Sequence, residues 1–328
     1  MEPRAFLTQS RVLVVAGKGG VGKTTVTAAL ARLAADSGLK VLVVALDDSG
    51  ALPSLFGADS SFSYDEQVVY ESGAGSVVAR VLTPDDALVE YLMDHGLKRV
   101  AKRLVQSGVL DVVATAIPGI REILVLGKVK QIERAGEYDL VLLDAPATGH
   151  AVRFLTSASG LLDAARGGPL RSQASDVIEM LHDPGRCQVL LVALPEETPV
   201  NELIETAYRF EDEVGVLLGP VVVNSCYEQL EGLSSEVGAA AALAGEELEA
   251  PVQAALGEAA AFRLGRQELQ SAQLKRLKTE LPLPELRLPH LFVAELGPEE
   301  VARLAAAIGS AVQGLDASEL AAATRRAI

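Results

Sequence analysis

Near the start of the chain, Ala16-Gly17-Lys18-Gly19-Gly20-Val21-Gly22-Lys23-Thr24-Thr25 has the residue types and spacing that phosphate chemistry needs. It fits the pattern G-x-x-x-x-G-K-[ST], whose glycines let successive backbone N–H groups turn inward around phosphate oxygens. Lys23 supplies a cation for β- and γ-phosphates, and the Thr24 hydroxyl is an oxygen ligand for Mg2+. Asp144 closes the apolar run that starts at Tyr138. A carboxylate at such a strand end holds Mg2+ or its water beside the phosphates. Asp47 follows the apolar residues 41–46. It either orients the water that attacks a γ-phosphate or caps the turn after it, and position alone leaves both readings open. Asn224 ends another apolar run, and its amide suits an adenine edge or a strand-end turn equally. The ligands expected from these residues are ATP and Mg2+.

Such groups need a rigid frame. Residues 12–15 read as a strand and residues 26–35 as an alanine-rich helix, the context in which the glycine pattern becomes a phosphate loop. Residues 40–46 and 138–144 read as further buried parallel strands, and 67–70 with 76–82 as a small hairpin. Thr83-Pro84-Asp85-Asp86 starts a helix, with helical periodicity running on from Leu88 to Val105. Another helix spans 120–132. Ala145 to His150 reads as a stiff, glycine-jointed loop, with His150 as a loop or capping residue rather than a metal ligand. Later strands are expected over 189–194, 216–223 and 288–293, and helices over 199–213, 228–282 and 298–313. The predicted fold is α/β, a mostly parallel sheet flanked by helices. One domain covers residues 1–328, with 83–136 and 150–185 inserted as a helical subdomain.

Composition narrows the partners. The chain has 328 residues, is 49% hydrophobic and carries a net charge of −15. That supports a sizeable core and repels phosphate backbones and anionic lipid, which excludes nucleic acid or a bilayer as the principal partner. Lys98, Arg99, Lys102 and Arg103 read as a solvated or partner-facing edge. Cys187 and Cys226 lack zinc-site spacing and read as reduced, buried thiols. Neither a signal core at the N-terminus nor a membrane-spanning run is visible, and residues 318–328 make a poor anchor, so a cytoplasmic location without stable membrane insertion is expected.

Together these residues resemble the arsenical-pump-driving and tail-anchored-protein-targeting ATPases, whose nucleotide loop is a deviant Walker A, over most of the chain and one family unit in length. Lys18-Gly19-Gly20-Val21-Gly22-Lys23-Thr24-Thr25 matches that loop. The resemblance implies that Lys18 crosses a dimer interface to the partner's nucleotide, and that Asp47 is the switch I aspartate that positions water. Pro118-Gly119-Ile120 with Glu122 is similar to the family's P-G-I-D-E segment, with Arg121 in place of its aspartate. Asp144 to His150 is similar to the switch II signature D-T-A-P-T-G-H with its middle residues permuted, and Arg153-Phe154-Leu155 continues the likeness. Pro195-Glu196 is similar to the P-E that contacts nucleotide near the dimer seam, and Asn224 stands where the family's adenine-reading asparagine ends its strand.

The implied protein is an Mg2+-dependent ATPase that pairs with itself or a paralogue and uses nucleotide state to set a helical subdomain that binds a protein client. The departures are also specific. Asp48-Ser49-Gly50 replaces the P-A-H that follows the switch I aspartate, which implies slow or differently regulated hydrolysis. It also motivates the alternative of a catalytically weak, nucleotide-binding regulatory scaffold paired with a paralogue. Neither the C-x-x-C zinc site, a methionine-lined groove nor clustered thiolates for arsenite are present, so the sequence argues against handling of tail-anchored proteins or arsenite.

Overall fold

Runs of valine and leucine form strands that are covered on both faces. β1 (Val12–Gly17) and β6 (Cys187–Ala193) are buried at every position, and β2 (Lys40–Ala45) at all but its first. The computed structural model describes residues 1–46, 51–59, 61–94, 96, 98–99, 101, 103, 119–164 and 167–316. With β3 (Gln67–Glu71), β4 (Ser76–Val81), β5 (Leu140–Ala147), β7 (Leu217–Leu218), β8 (Val221–Cys226) and β9 (Glu285–Pro289), these strands make a nine-stranded sheet. Its order is β3-β4-β2-β5-β1-β6-β8-β9, with β7 against β6. Every pairing is parallel except the β3–β4 hairpin. The C-terminal ends of β1, β2, β5, β6 and β8 therefore share one edge, where open α/β sheets bind ligands.

Alternate residues of β1 feed two separate cores. Leu13 and Val15 face α1 (Pro3–Leu7), α2 (Lys23–Asp36), α3 (Ala51–Leu55) and α11 (Pro298–Gln313). Val12, Val14 and Ala16 face the other side. There the core is completed by α4 (Pro84–Asp94), α5 (Ile120–Ala135), α6 (Thr148–Ala164), α7 (Pro169–His182) and α8 (Glu197–Arg209). Between β8 and β9 lie α9 (Val237–Leu243) and the long α10 (Ala250–Glu280). The helices expected as an insertion thus share one apolar cluster with the sheet. The periodicity at Leu97, Val100, Leu104 and Val105, the cation Lys102, residue Pro118 and the tail 318–328 lie outside the described residues.

Several boundaries differ from expectation, each for a physical reason. β5 runs on through Pro146 to Ala147, and α6 begins at Thr148, so Ala145 to His150 is strand end and helix start rather than loop. The β1–β5 ladder shifts register between Val15 and Gly17, and a strand tolerates proline where its ladder is interrupted. The strand expected over 216–223 is two strands. Pro220 has no N–H to donate, and a Cβ at Gly219 would press on Leu190 and Gln188. β9 is Glu285–Pro289 rather than 288–293: Leu286 and Leu288 alternate inward and pair along β8, while Phe292 and Val293 are exposed. Cys187 is buried as expected, but Cys226 is only half-buried.

One buried ion pair ties these layers together. The Arg186 guanidinium donates to Glu133 at 2.7 and 3.4 Å, with Glu133 almost wholly covered. The carboxylate at this bond holds the Arg186 pKa above its usual value. Arg186 also offers its backbone carbonyl to Val12 N at 2.8 Å, where β1 starts. Glu133→Ala leaves a covered guanidinium with only the exposed Glu179, 3.8 Å away, as counter-ion and is expected to cost about 3 kcal/mol. Urea unfolding measures it: the midpoint falls at constant slope, and Glu133→Met with Arg186→Met recovers part of the loss.

Candidate functional site

The loop between β1 and α2 is shaped by two glycines. A Cβ at Gly17 would run into the carbonyl oxygen of Val192 on β6, so the strand end packs closer than any side chain permits. Gly22 has φ 89° and is the residue before α2, with the Asn224 amide where its Cβ would stand. No side chain caps α2, so its first N–H groups face the loop and carry the helix's partial positive charge. Such an N-terminus suits an anion.

Around this loop the chain supplies its own partners. Lys23 Nζ donates to the Lys18 carbonyl at 3.1 Å, folding the lysine over the loop. Asn224 Nδ2 donates to the Val21 carbonyl at 3.0 Å, and its Oδ1 accepts from Ser225 N at 2.9 Å. Ser225 has φ 60°. Asn224 therefore braces the loop from the end of β8. Lys18 Nζ meets Glu202 of α8 at 2.6 Å, within the same chain. Glu196, the residue before α8, pairs with Arg266 of α10 at 2.7 Å.

On the other side of the loop, Thr24 Oγ1 donates to Asp144 Oδ2 at 2.7 Å, and Thr27 Oγ1 lies 3.4 Å from Asp144 Oδ1. The sheet sets this meeting. Asp144 is in register with Val15 of β1 and Ala45 of β2, which puts its carboxylate beside the first turn of α2. A hydroxyl and a carboxylate side by side at a phosphate-shaped loop are hard oxygen donors, and they fit Mg2+, which takes most of its remaining ligands from phosphate and water. No group of three or more His, Cys, Asp or Glu side chains gathers as a metal site among the described residues. Burial pushes the Cys187 thiol up to about 12 and Cys226 up to about 11, so neither is a thiolate at neutral pH.

The structure thus brings together Gly17, Lys18, Gly19, Gly20, Val21, Gly22, Lys23, Thr24, Thr25, Asp144 and Asn224. Glu196 sits at the start of α8, engaged with Arg266. Asp47, directly after Leu46 at the end of β2, lies outside the described residues. His150 is an exposed residue in the first turn of α6.

Sequence reasoning missed two features. One is Glu202, which the helical stretch 199–213 held without marking. The other is a ring cluster just past Asn224: Tyr227, His290 and Phe292 have centroids 5.0, 5.5 and 4.5 Å apart. Arg263 lies 5.0 Å over the Phe292 ring. Burial, then the charges of Arg263 and Arg266, lower the His290 pKa, so this ring is neutral at pH 7.

Residues 10–164 match the family model described as Anion-transporting ATPase. Those residues belong to that family. Of the similar proteins, ATPase BagA of Mycobacterium tuberculosis is 32% identical over 225 residues, 66% of this chain and 66% of BagA. ATPase get3 of Schizosaccharomyces japonicus is 30% identical over 179 residues, 52% of this chain and 53% of that one. A Halobacterium salinarum protein named for driving an arsenical pump is 29% identical over 239 residues, 66% of this chain and 35% of its own length. The chain therefore spans just under two thirds of BagA and about half of get3. The anion-transporting ATPase match contains the glycine loop and Asp144 and ends at the close of α6, so Glu196, Glu202 and Asn224 lie beyond it. No helix among the described residues is long and apolar enough to cross a membrane.

Proposed function

We propose that this anion-transporting ATPase family member binds and hydrolyses Mg2+-ATP, acting as a dimeric switch whose nucleotide state is passed to the helices packed on the sheet. The observation that carries the reading is the Thr24–Asp144 pair at 2.7 Å beside the Lys23 loop. In this reading the loop N–H groups of residues 17–25 wrap the phosphates, and Lys23 exchanges the Lys18 carbonyl for β- and γ-phosphate oxygens. Thr24 and Asp144 hold the metal, which when bound neutralises charge on the phosphates. Asp47 orients the attacking water. Asn224 reads the adenine edge, which requires its amide to be shared with or released from Val21, and the Tyr227–His290–Phe292 rings offer the base a stacking face.

The domain division follows from the same reading. Residues 1–328 act as one domain, and the helical segments 83–136 and 150–185 form the layer that moves against the sheet. β5 and α6 join without a loop, so a change at Asp144 reaches Arg153 and Phe154 through a continuous strand and helix. The second protomer, itself or a paralogue, would receive Lys18, and a protein client would meet the helical layer.

The alternative, a catalytically weak scaffold paired with a paralogue, is favoured by Asp48-Ser49-Gly50 after Asp47. Steady-state phosphate release by the purified chain, with Mg2+ and with EDTA, separates the two. Turnover that needs Mg2+ supports the switch, whereas bound ATP with no phosphate release supports the scaffold.

Lys18 gives a further expected result. Its bond to Glu202 is half-exposed and worth under about 1 kcal/mol to stability. Glu202→Gln is therefore expected to leave the melting temperature nearly unchanged. Because it releases Lys18, it should tighten ATP affinity or dimerisation by a few-fold, read by titration of a fluorescent ATP analogue. Unchanged affinity and unchanged assembly would show that the pair does not restrain the loop.

A further inference from the structure

The helical pair α9 and the first half of α10 stands largely uncovered. The pair itself is well formed. Glu236 caps α9, accepting from Gly238 N at 3.0 Å and Ala239 N at 2.6 Å. The turn is closed by Gly245 at φ 77°, and Gln253 Nε2 donates to the Leu248 carbonyl at 2.8 Å. The two helices lie close at Gly238, where a Cβ would stand 3.0 Å from Gln253 Oε1. From Arg263 onward α10 is fastened to the body by Gln270, which binds Ser225 and Tyr227, by Arg266 to Glu196 and by buried Leu277. Before that point no residue of α9 or α10 is buried.

Two chemistries occur on this hairpin. Its large apolar side chains face solvent: Leu243 is 92% exposed and Phe262 69%, with Val252 and Leu256 one turn apart on α10 and both exposed. Alanine fills most remaining positions. α9 has 7 residues, and neither it nor this half of α10 buries a residue, so an uncovered apolar ridge here is costly unless something packs on it. The second chemistry is charge. Residues 231–262 contain six glutamates, Glu231, Glu236, Glu246, Glu247, Glu249 and Glu258, and no Lys, Arg or His.

That combination selects the occupant. Two copies of the hairpin would bring like charges together, and an anionic membrane would be repelled. A helix with apolar residues at i, i+3, i+4 spacing and Lys or Arg flanking them satisfies both features at once. We propose that the α9–α10 hairpin is a docking surface for a basic amphipathic helix of a partner protein. The apolar face of that helix covers Leu243, Val252 and Leu256, and its cations reach the glutamates. The proposal stands apart from the nucleotide site, and its test does not depend on turnover.

The probe is a fluorescein-labelled leucine–lysine peptide patterned for helix amphipathicity, titrated with the full chain by anisotropy. A peptide of the same composition with the pattern scrambled is the control. The patterned peptide should bind at least tenfold tighter than the control, and binding should weaken with salt. Leu243→Ala with Leu256→Ala keeps charge and helix propensity, and should weaken binding by about tenfold for each side chain removed. Glu246→Gln, Glu247→Gln, Glu249→Gln and Glu258→Gln together should weaken it and flatten the salt dependence. Circular dichroism and phosphate release should be unchanged in both. Equal binding of the scrambled peptide, or full binding by the alanine pair, overturns the proposal. Self-association in sedimentation that the alanine pair abolishes, without peptide binding, would assign the ridge to a second copy. A tenfold gain in peptide affinity on deleting residues 317–328 would assign it to the chain's own Arg325-Arg326 segment. Either outcome overturns a separate partner.

Discussion

Lys23→Ala is expected to lower ATP turnover by about a thousand-fold, while the protein melts within a few degrees of the parent. The amine is the strongest positive charge the loop can aim at a transferring phosphoryl group, and the loop amides alone cannot replace it. Stability should hold because one anchor of Lys23, the Lys18 carbonyl at 3.1 Å, is part-buried and can turn to water. Lys23→Arg should not rescue, since the planar guanidinium does not fit where Gly17 and Gly22 already lie against Val192 and Asn224.

The same substitution also tests the proposed second protomer. If each site takes Lys23 from its own chain and Lys18 from the other, Lys18→Ala and Lys23→Ala chains are both inactive alone. Mixed equally, half the dimers carry one complete site, so about a quarter of the parental activity should return. No recovery on mixing, with exchange of subunits verified, would leave Lys18 to Glu202 and the monomer. A Lys23→Ala chain that hydrolyses ATP as fast as the parent would remove the loop from the chemistry altogether.

What could be read ahead of the structure was local. The strand before the loop, the helix after it and α11 at Pro298–Gln313 follow from continuous apolar runs, Gly-Pro punctuation and a 3.6-residue period, all written within a few neighbours. The Thr24–Asp144 meeting was legible too, because an apolar strand ending in an acid has one place to go beside a phosphate loop. What was hidden depends on residues distant in the chain. Glu202 meets Lys18 because α8 packs on the face opposite α2. Tyr227, His290 and Phe292 meet because β9 joins β8, and the sequence signal pointed to 288–293 instead, since Leu291-Phe292-Val293 is more continuously apolar than the alternating Leu286 and Leu288. Asn224 showed its chemistry but not its present partner, the Val21 carbonyl.

Asp144→Asn is expected to cost about a hundred- to a thousand-fold in Mg2+-dependent phosphate release, with ATP affinity within about tenfold of the parent. The substitution keeps the shape of the side chain, so its place between Val15 and Ala45 in the sheet is preserved. It removes one negative charge and makes half of the group a donor. Thr24 donates to one carboxylate oxygen, while the Thr27 hydroxyl near the other donates to the Lys23 carbonyl and is free to accept, so the asparagine can keep its oxygen on Thr24 and turn its NH2 to Thr27. A structural aspartate would show this as a lower melting temperature at every Mg2+ concentration, with turnover falling only as far as folding does. A metal-holding aspartate shows it differently: the half-saturating Mg2+ concentration rises, turnover partly recovers at high Mg2+, and melting in EDTA barely changes. Thr24→Ala should move the same Mg2+ titration in the same direction by less, because it removes a neutral donor atom rather than a charge. If Asp144→Asn left the Mg2+ titration where it was, the two side chains would be a strand-to-helix brace, and the metal would be held by other groups.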